Sequence, residues 1–312
     1  MQYFPLFINL THKPVLVVGG GEVASRKVDS LVRAGANVTI VSPHVEDYLA
    51  NLIEKGDCHW IQSFYSAELL ETSYVQVWAT TDNPNLNHQV HHDAKEKGIL
   101  VNVVDDLPYC DFITPSMINR GRIQLAISSG GSSPVLIRNV REKLEAVLPQ
   151  NLAIQADFAA SKRTDIKNRL TSVEQRRKFW EAYFARSDVE RAANNSDLEK
   201  AYQALLYDGF DQKGSVTWVE YGDDVELLTL KALRLMQQAE IVLHDPQCPF
   251  SFIDLVRRDA ERVECQGEAN FSEQLQKARS EDQRVVVLMP PKSKRVTFLQ
   301  GNDLLIELGT AK

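Results

Sequence analysis

The sequence predicts an α/β protein. A Rossmann-type parallel sheet comes first, then a hairpin-and-helix segment, a run of helices, and a small partial α/β unit at the C-terminus. Three observations carry this. In the first hundred residues, short β-branched apolar runs alternate with stretches of helical spacing, the pattern of a parallel sheet covered on both faces. A glycine-rich turn joins the first of these runs to the first helix. From residue 152 to 206 no strand signal interrupts the helices, and strands return after 215.

Residues 14–18 read as the first strand and 22–34 as the first helix, with Val23, Val28, Leu31 and Val32 as apolar-face candidates and Gly35 as its C-cap. Strands follow at 37–41, weakly at 59–61, and at 74–79. A helix at 85–97 stops at Gly98, before a strand at 99–104. Residues 112–118 and 122–128 are two extended runs about Asn119-Arg120-Gly121, a hairpin pattern. Ser133 is a good N-cap and Pro134 a good first helical residue for a helix ending near Leu148. Residues 208–214 read as a linker. Beyond it, 215–219, 241–243 and 284–289 read as strands.

The chain of 312 residues has room for two or three domains. Its 42 acids outnumber 35 bases, giving a net charge of −7, which argues against nucleic acid held by general charge. Within that acidic chain, residues 113–182 hold twelve bases against six acids. A local excess of this kind suits a polyanionic small molecule, and equally suits solvated helix faces. Cys58, Cys110, Cys248 and Cys265 lie far apart, so the thiols are expected to be reduced and the protein cytoplasmic. No secretory signal is expected, and no run approaches the ~18 apolar residues of a membrane span.

Gly19-Gly20-Gly21-Glu22-Val23-Ala24 fits G-x-G-x-x-A between a strand and a helix. There glycines allow a tight turn and close backbone approach to a pyrophosphate, which the helix N-terminus faces. The alternative is a glycine turn with no ligand. The second strand ends in Ser42-Pro43-His44 rather than in an acid. Ser42 can bond a ribose hydroxyl without repelling a 2′-phosphate, so this loop favours NAD only mildly, with no Arg there to favour NADP. Asp105 and Asp106 fall at the C-terminal end of a strand, the edge at which open α/β sheets bind ligands. A carboxylate there is either a general base or a solvated cap. His88, His91 and His92, with Glu96 a turn on, share one helix face. One face rarely closes a metal's coordination shell, so a solvated surface is the expectation and no metal site is assigned.

Several of these stretches, in order, resemble the N-terminal module of the siroheme synthase family of precorrin-2 dehydrogenases and sirohydrochlorin ferrochelatases. They are residues 17–27, Asn102-Val103-Val104-Asp105, Phe112-Ile113-Thr114-Pro115-Ser116, residues 128–136 from Ser128 to Leu136, Arg141-Glu142-Lys143-Leu144-Glu145 and Arg176-Arg177-Lys178-Phe179-Trp180. The resemblance implies a homodimer interlocked through the segment after the Rossmann domain. It also implies NAD+ as oxidant of precorrin-2 to sirohydrochlorin, and in many members insertion of Fe2+, as substrate, to give siroheme. The domains would then be 1–113 for NAD, 114–150 for dimerisation, 151–210 helical, and 214–312 a degenerate partial methyltransferase-like unit.

By the same resemblance, Asp105 matches the catalytic aspartate, Glu22, Val23, Pro43 and His44 match NAD-contacting positions, and Ser129 matches a serine of the tetrapyrrole pocket. The expected cofactor set is Gly19, Gly21, Glu22, Val23, Ser42, Pro43, His44 and Thr80. The expected substrate set is Ser129, Gly130, Arg120 and Arg138. The alternatives are dehydrogenation alone, or a non-catalytic NAD or tetrapyrrole sensor.

The C-terminal part still resembles the start of the family's methyltransferase domain, notably at 227–233 and 237–242. Its cofactor loop, however, has become Glu220-Tyr221-Gly222-Asp223-Asp224, with large residues where backbone must approach a ligand closely. Asp245 keeps an acid, followed by Pro246. The expectation is a unit that folds at least partly and does not methylate, with a separate methyltransferase as a conceivable partner.

Overall fold

The first strand, β1 (Pro14–Val18), is apolar on both faces, and its side chains divide between two cores. Val15 and Val17 point to one cluster with Ala24, Val28 and Leu31, while Leu16 and Val18 point to another with Val90, Ala94 and Val101. A strand buried on both faces needs helices on both sides, and the chain supplies them. The computed structural model describes residues 3–210 and 213–310. The chain divides after Ala156 into two compact units.

In the first unit, β1 leads to α1 (Glu22–Arg33), β2 (Asn37–Val41), α2 (Asp47–Glu54), β3 (His59–Ile61), β4 (Gln76–Ala79), α3 (Pro84–Glu96) and β5 (Leu100–Val103). The strands are all parallel, in the order β3-β2-β1-β4-β5. The order reverses at β1, so the crevice between the C-terminal ends of β1 and β4 is the topological switch point where such sheets take ligands.

After this sheet come β6 (Ser116–Arg120) and β7 (Ile123–Ile127), an antiparallel hairpin, and then α4 (Pro134–Val147). The hairpin begins later than its sequence suggests and turns at Gly121, whose φ is +64°. Residues 111 and 112 are held by the first sheet instead: Asp111 N donates to Val101 O at 2.9 Å and Asn102 Nδ2 to Phe112 O at 2.8 Å. Helix α4 starts as its sequence predicts, with Ser133 Oγ accepting from Leu136 N at 3.2 Å.

The second unit begins within α5 (Leu152–Arg169) and continues through α6 (Val173–Phe184), α7 (Ser187–Glu190) and α8 (Asn195–Asp208). Phe158, Phe179, Tyr183 and Tyr202 form its aromatic centre, with the Phe179 and Tyr202 rings 5.4 Å apart, edge to face. Of the expected linker, residues 211 and 212 lie outside the described residues.

A second parallel sheet follows, built from β8 (Ser215–Glu220), α9 (Leu230–Met236), β9 (Ile241–His244), α10 (Phe250–Asp254), β10 (Glu261–Glu264), α11 (Gly267–Ser280), β11 (Arg284–Met289) and β12 (Leu304–Ile306). Its order is β10-β9-β11-β8-β12, five strands where the sequence announces three. The two extra strands are the edges. Glu261–Glu264 is mostly exposed and carries no apolar run, and Leu304–Ile306 is only three residues long.

Candidate active site

The three glycines after β1 serve three purposes. A side chain at Gly19, where φ is +123°, would lie 2.6 Å from Thr80 Oγ1. That hydroxyl donates to Val18 O at 2.9 Å, so Thr80 and Gly19 together close β1 onto β4. A side chain at Gly20 would lie 2.1 Å from His44 O, and Glu46 N donates to Gly20 O at 2.9 Å. Gly20, missing from the expected set, is therefore the position at which the loop after β2 seats on the turn. Gly21 has nothing within 4 Å of where its side chain would be. Gly21 is also the N-cap of α1 and provides no side-chain cap, so the first-turn N–H groups face open space. A bare, positively polarised helix end beside an empty glycine position fits an approaching pyrophosphate.

Glu22 is exposed and pairs with Arg26 at 2.6 Å, and Val23 is half-buried. Ser42 is buried, and its hydroxyl donates to His44 O at 2.6 Å, so it shapes the loop from within. Pro43 is half-buried and His44 exposed.

Asp105 stands two residues beyond β5 with φ +54°, the left-handed region that an aspartate adopts only at a cost. Its side chain is exposed at the C-terminal edge of the sheet. The turn behind it is gripped by α3. His88 Nε2 lies 2.6 Å from Asp106 Oδ2 and its ring stacks on Tyr109 at 3.8 Å. His91 Nδ1 lies 2.9 Å from Tyr109 O, and Lys95 pairs with Asp111 at 2.7 Å. His88 and His91 are thus half-buried supports for the Asp105 turn, while His92 and Glu96 are exposed, as expected of a solvated surface. Among the described residues no group of three His, Cys, Asp or Glu side chains is placed to hold a metal ion.

A cleft of about 370 Å3 opens between the hairpin and α4, with Thr114, Ser128, Ser129, Ile137, Arg138 and Arg141 among its lining. Ser129 Oγ accepts from Ser133 N at 3.1 Å, which fixes the serine loop at the start of α4. Gly131 rather than Gly130 lines the cleft, and a side chain at Gly130 would lie 3.8 Å from the Tyr3 ring. Arg120 does not line it. Its guanidinium is bound to Glu145, whose carboxyl it holds below the usual carboxylate range. Much of the basic segment is neutralised in the same way, with Lys162 on Glu199 at 2.6 Å, Arg169 on Asp165 at 2.9 Å and Arg177 on Glu240. Arg138 and Arg141 are its members at the cleft.

One residue ties these parts together and escaped the sequence reading except as part of a motif. Lys27, on α1, is half-buried, with Nζ 3.1 Å from Thr114 Oγ1 and 5.2 Å from the centre of the Trp78 ring. Burial lowers its pKa from the ordinary lysine value, and the Asp105 carboxylate works in the opposite direction. The dinucleotide helix and the cleft wall therefore meet at this ammonium, within reach of the Asp105 charge.

The second sheet's corresponding edge is filled. Tyr221, directly after β8, is 7% exposed, and its hydroxyl donates to Asp245 Oδ1 at 2.9 Å. Leu308 N donates to Glu220 Oε2 at 3.4 Å, and the Leu308 side chain covers Gly222.

Comparison with known proteins follows these divisions. Residues 6–116 match the family described as "Putative NAD(P)-binding", and residues 154–207 match the sirohaem synthase dimerisation region. The chain is 41% identical to the siroheme synthase of Actinobacillus pleuropneumoniae serotype 3 over 97% of its length, covering 62% of that protein. It is 41% identical to siroheme synthase 1 of Serratia proteamaculans over 98% of its length, covering 65% of that one. The chain thus spans a little under two thirds of the relatives it matches. A solved precorrin-2 dehydrogenase, SirC, superposes with a TM-score of 0.51 at 22% identity, over 66% of this chain and 100% of that one, a likeness of fold. Over nearly its whole length the chain is similar to the siroheme synthases.

Proposed function

We propose that this protein oxidises precorrin-2 to sirohydrochlorin with NAD+, and then inserts Fe2+, as substrate, to give siroheme. The observation that carries the reading is the shared edge of the first sheet. The open Gly21 turn and Asp105 both follow strands of that sheet at their C-terminal ends, and Lys27 of α1 bonds Thr114 of the cleft wall, which supports the reading.

The residues present fit the dinucleotide. Gly21 and the uncapped start of α1 would take the pyrophosphate, and Pro43 and His44 would flank the adenosine side. No arginine stands in residues 42–46 to favour a 2′-phosphate, which supports NAD. When bound, NAD+ supplies the acceptor for the electron pair and one hydrogen of the substrate. The second hydrogen leaves as a proton, and Asp105 is the base that takes it. Iron insertion displaces two pyrrole protons, for which the same carboxylate can serve. Arg138 and Ser129 would bind the carboxylate-fringed rim of the macrocycle.

The same reading makes the protein a cytoplasmic homodimer. The match to the dimerisation region supports the dimer, and so do the exposed apolar side chains Met117 at 51%, Val135 at 65% and Val147 at 71% on the hairpin and α4. The reduced cysteines support the compartment, and no described helix is long and apolar enough to cross a membrane. Methylation of the precursor would fall to a separate methyltransferase, because Tyr221 fills the edge where the second sheet would hold a cofactor.

Anaerobic incubation with precorrin-2 and NAD+, with and without Fe2+, tests this by absorbance. NADH should appear in step with sirohydrochlorin, and siroheme only when iron is added. Asp105→Asn should slow oxidation by about 10²–10⁴-fold, the span of general-base contributions. Absence of NADH formation by the wild-type protein would sink the proposal, and an unchanged rate in Asp105→Asn would remove that residue as the base.

A further inference from the structure

Lys27 is an ammonium in an unusual setting. It is half-buried, yet its partners are a hydroxyl, Thr114 Oγ1 at 3.1 Å, and the face of Trp78 at 5.2 Å. Among the described residues no carboxylate stands at ion-pair distance from it. Arg138, on the cleft lining, is exposed, and two further cations near the cleft have an acid partner. Arg120 is bound to Glu145, and Arg141 lies 3.4 Å from the same carboxylate. Taking a cation out of water without a counter-charge is costly, and burial lowers the Lys27 pKa accordingly. A site of this kind is completed when a ligand brings the negative charge. Thr114, the hydrogen-bond partner of Lys27, is itself part of the cleft wall, and Asp105 is close enough to act on the ammonium through its charge. A carboxylate seated on Lys27 would therefore lie where the cleft meets the base.

We propose that Lys27 anchors the substrate at the Asp105 end of the cleft, its ammonium binding one peripheral carboxylate of the macrocycle. This rests on the function proposed above and adds to it the residue that sets the macrocycle's position against the base. The anchor is a point charge on a flexible stem, so it suits a carboxylate whose exact orientation varies with the ring.

Binding of sirohydrochlorin to the full-length protein, followed by absorbance titration, tests the anchor without turnover, and NAD+ affinity measured by calorimetry is the control. Lys27→Gln keeps a hydrogen-bond donor toward Thr114 and removes the charge. It should weaken sirohydrochlorin binding by about tenfold or more, the scale of one charge-assisted hydrogen bond, while NAD+ affinity stays within about twofold. Lys27→Arg should recover most of the loss. Should Lys27→Gln fail to fold, Lys27→Met, which keeps the apolar packing on Trp78, takes its place with the same expectation. Unchanged macrocycle affinity overturns the anchor, and so does an equal loss of NAD+ affinity, which would make Lys27 a support for α1. If the wild-type protein binds NAD+ but neither binds sirohydrochlorin nor oxidises precorrin-2, it is the proposed function that falls. If it does both and Lys27→Gln binds sirohydrochlorin as tightly, only the anchor falls.

Discussion

The molecule contains two five-stranded parallel sheets that meet opposite fates at the same place. In the first, the turn after the leading strand holds Gly21, with nothing within 4 Å of where a side chain would be, at an uncapped helix start. In the second, the residue directly after the leading strand is Tyr221, 7% exposed and bonded to Asp245. Both sheets are five-stranded and parallel but differ in strand order, and at the C-terminal end of each leading strand a few side chains set the contrast. A parallel sheet does not by itself make a site; the side chains at its edge decide what it can hold.

The sharpest way to break this contrast is to attack each edge at its most crowded point. Tyr221→Ala removes a buried ring from the second core and should cost about 3–5 kcal/mol, as deletions of large buried aromatics do. Tyr221→Phe keeps the ring and loses only the bond to Asp245, for about 1 kcal/mol. Denaturant unfolding measures both. If the filled edge is structural, neither variant should gain calorimetric affinity for S-adenosylmethionine. Micromolar binding by either variant, or by the wild type, would show the edge to be a working cofactor site. In the first sheet, Gly20→Ala should be comparably damaging, since its methyl would meet His44 O at 2.1 Å. The loop from Ser42 to Glu46 would have to move, and both stability and NAD+ affinity should fall.

Gly21→Ala sharpens the contrast by separating packing from ligand. Its methyl meets no protein atom, and φ at this N-cap is −89°, which alanine adopts freely. The thermal midpoint should stay within a degree or two. NAD+ affinity should drop by about tenfold, roughly 1.4 kcal/mol, if the pyrophosphate needs that space. Equal affinity in wild type and variant would mean that the open position is merely unoccupied surface.

The sequence was most legible where local pattern and tertiary role agree. The strand at Pro14–Val18, the glycine turn and the Ser133-Pro134 start of α4 each have a short-range signal that the fold then uses. It was least legible where an element exists only through its neighbours. Glu261–Glu264 and Leu304–Ile306 become strands because a sheet edge offers them partners, not because their own residues demand it. The site followed the same rule. Asp105 could be placed at a strand's end from its spacing. That His88 and His91 would grip the turn behind it, that Arg120 would be taken by Glu145, and that Lys27 would reach Thr114 are long-range facts. A basic count over residues 113–182 cannot tell a free cation from one bound to a neighbouring helix. Lys27, a half-buried cation bonded to a hydroxyl, lay outside that segment.

The smallest of the effects bears on why the open edge is built as it is. Asp105 holds φ at +54°, where glycine is at ease and aspartate is not. Replacing it with glycine should relieve that conformation and offset part of the gain through the freer unfolded chain. The net change should be a stabilisation of no more than about 1 kcal/mol, visible as a small rise in the denaturation midpoint, with oxidation of precorrin-2 lost. A turn that becomes steadier when its function is removed has been kept for the chemistry of its carboxylate. If Asp105→Gly instead lowers the midpoint, the aspartate is holding the turn together. Its geometry would then owe more to the His88 and Asp106 clamp behind it than to catalysis.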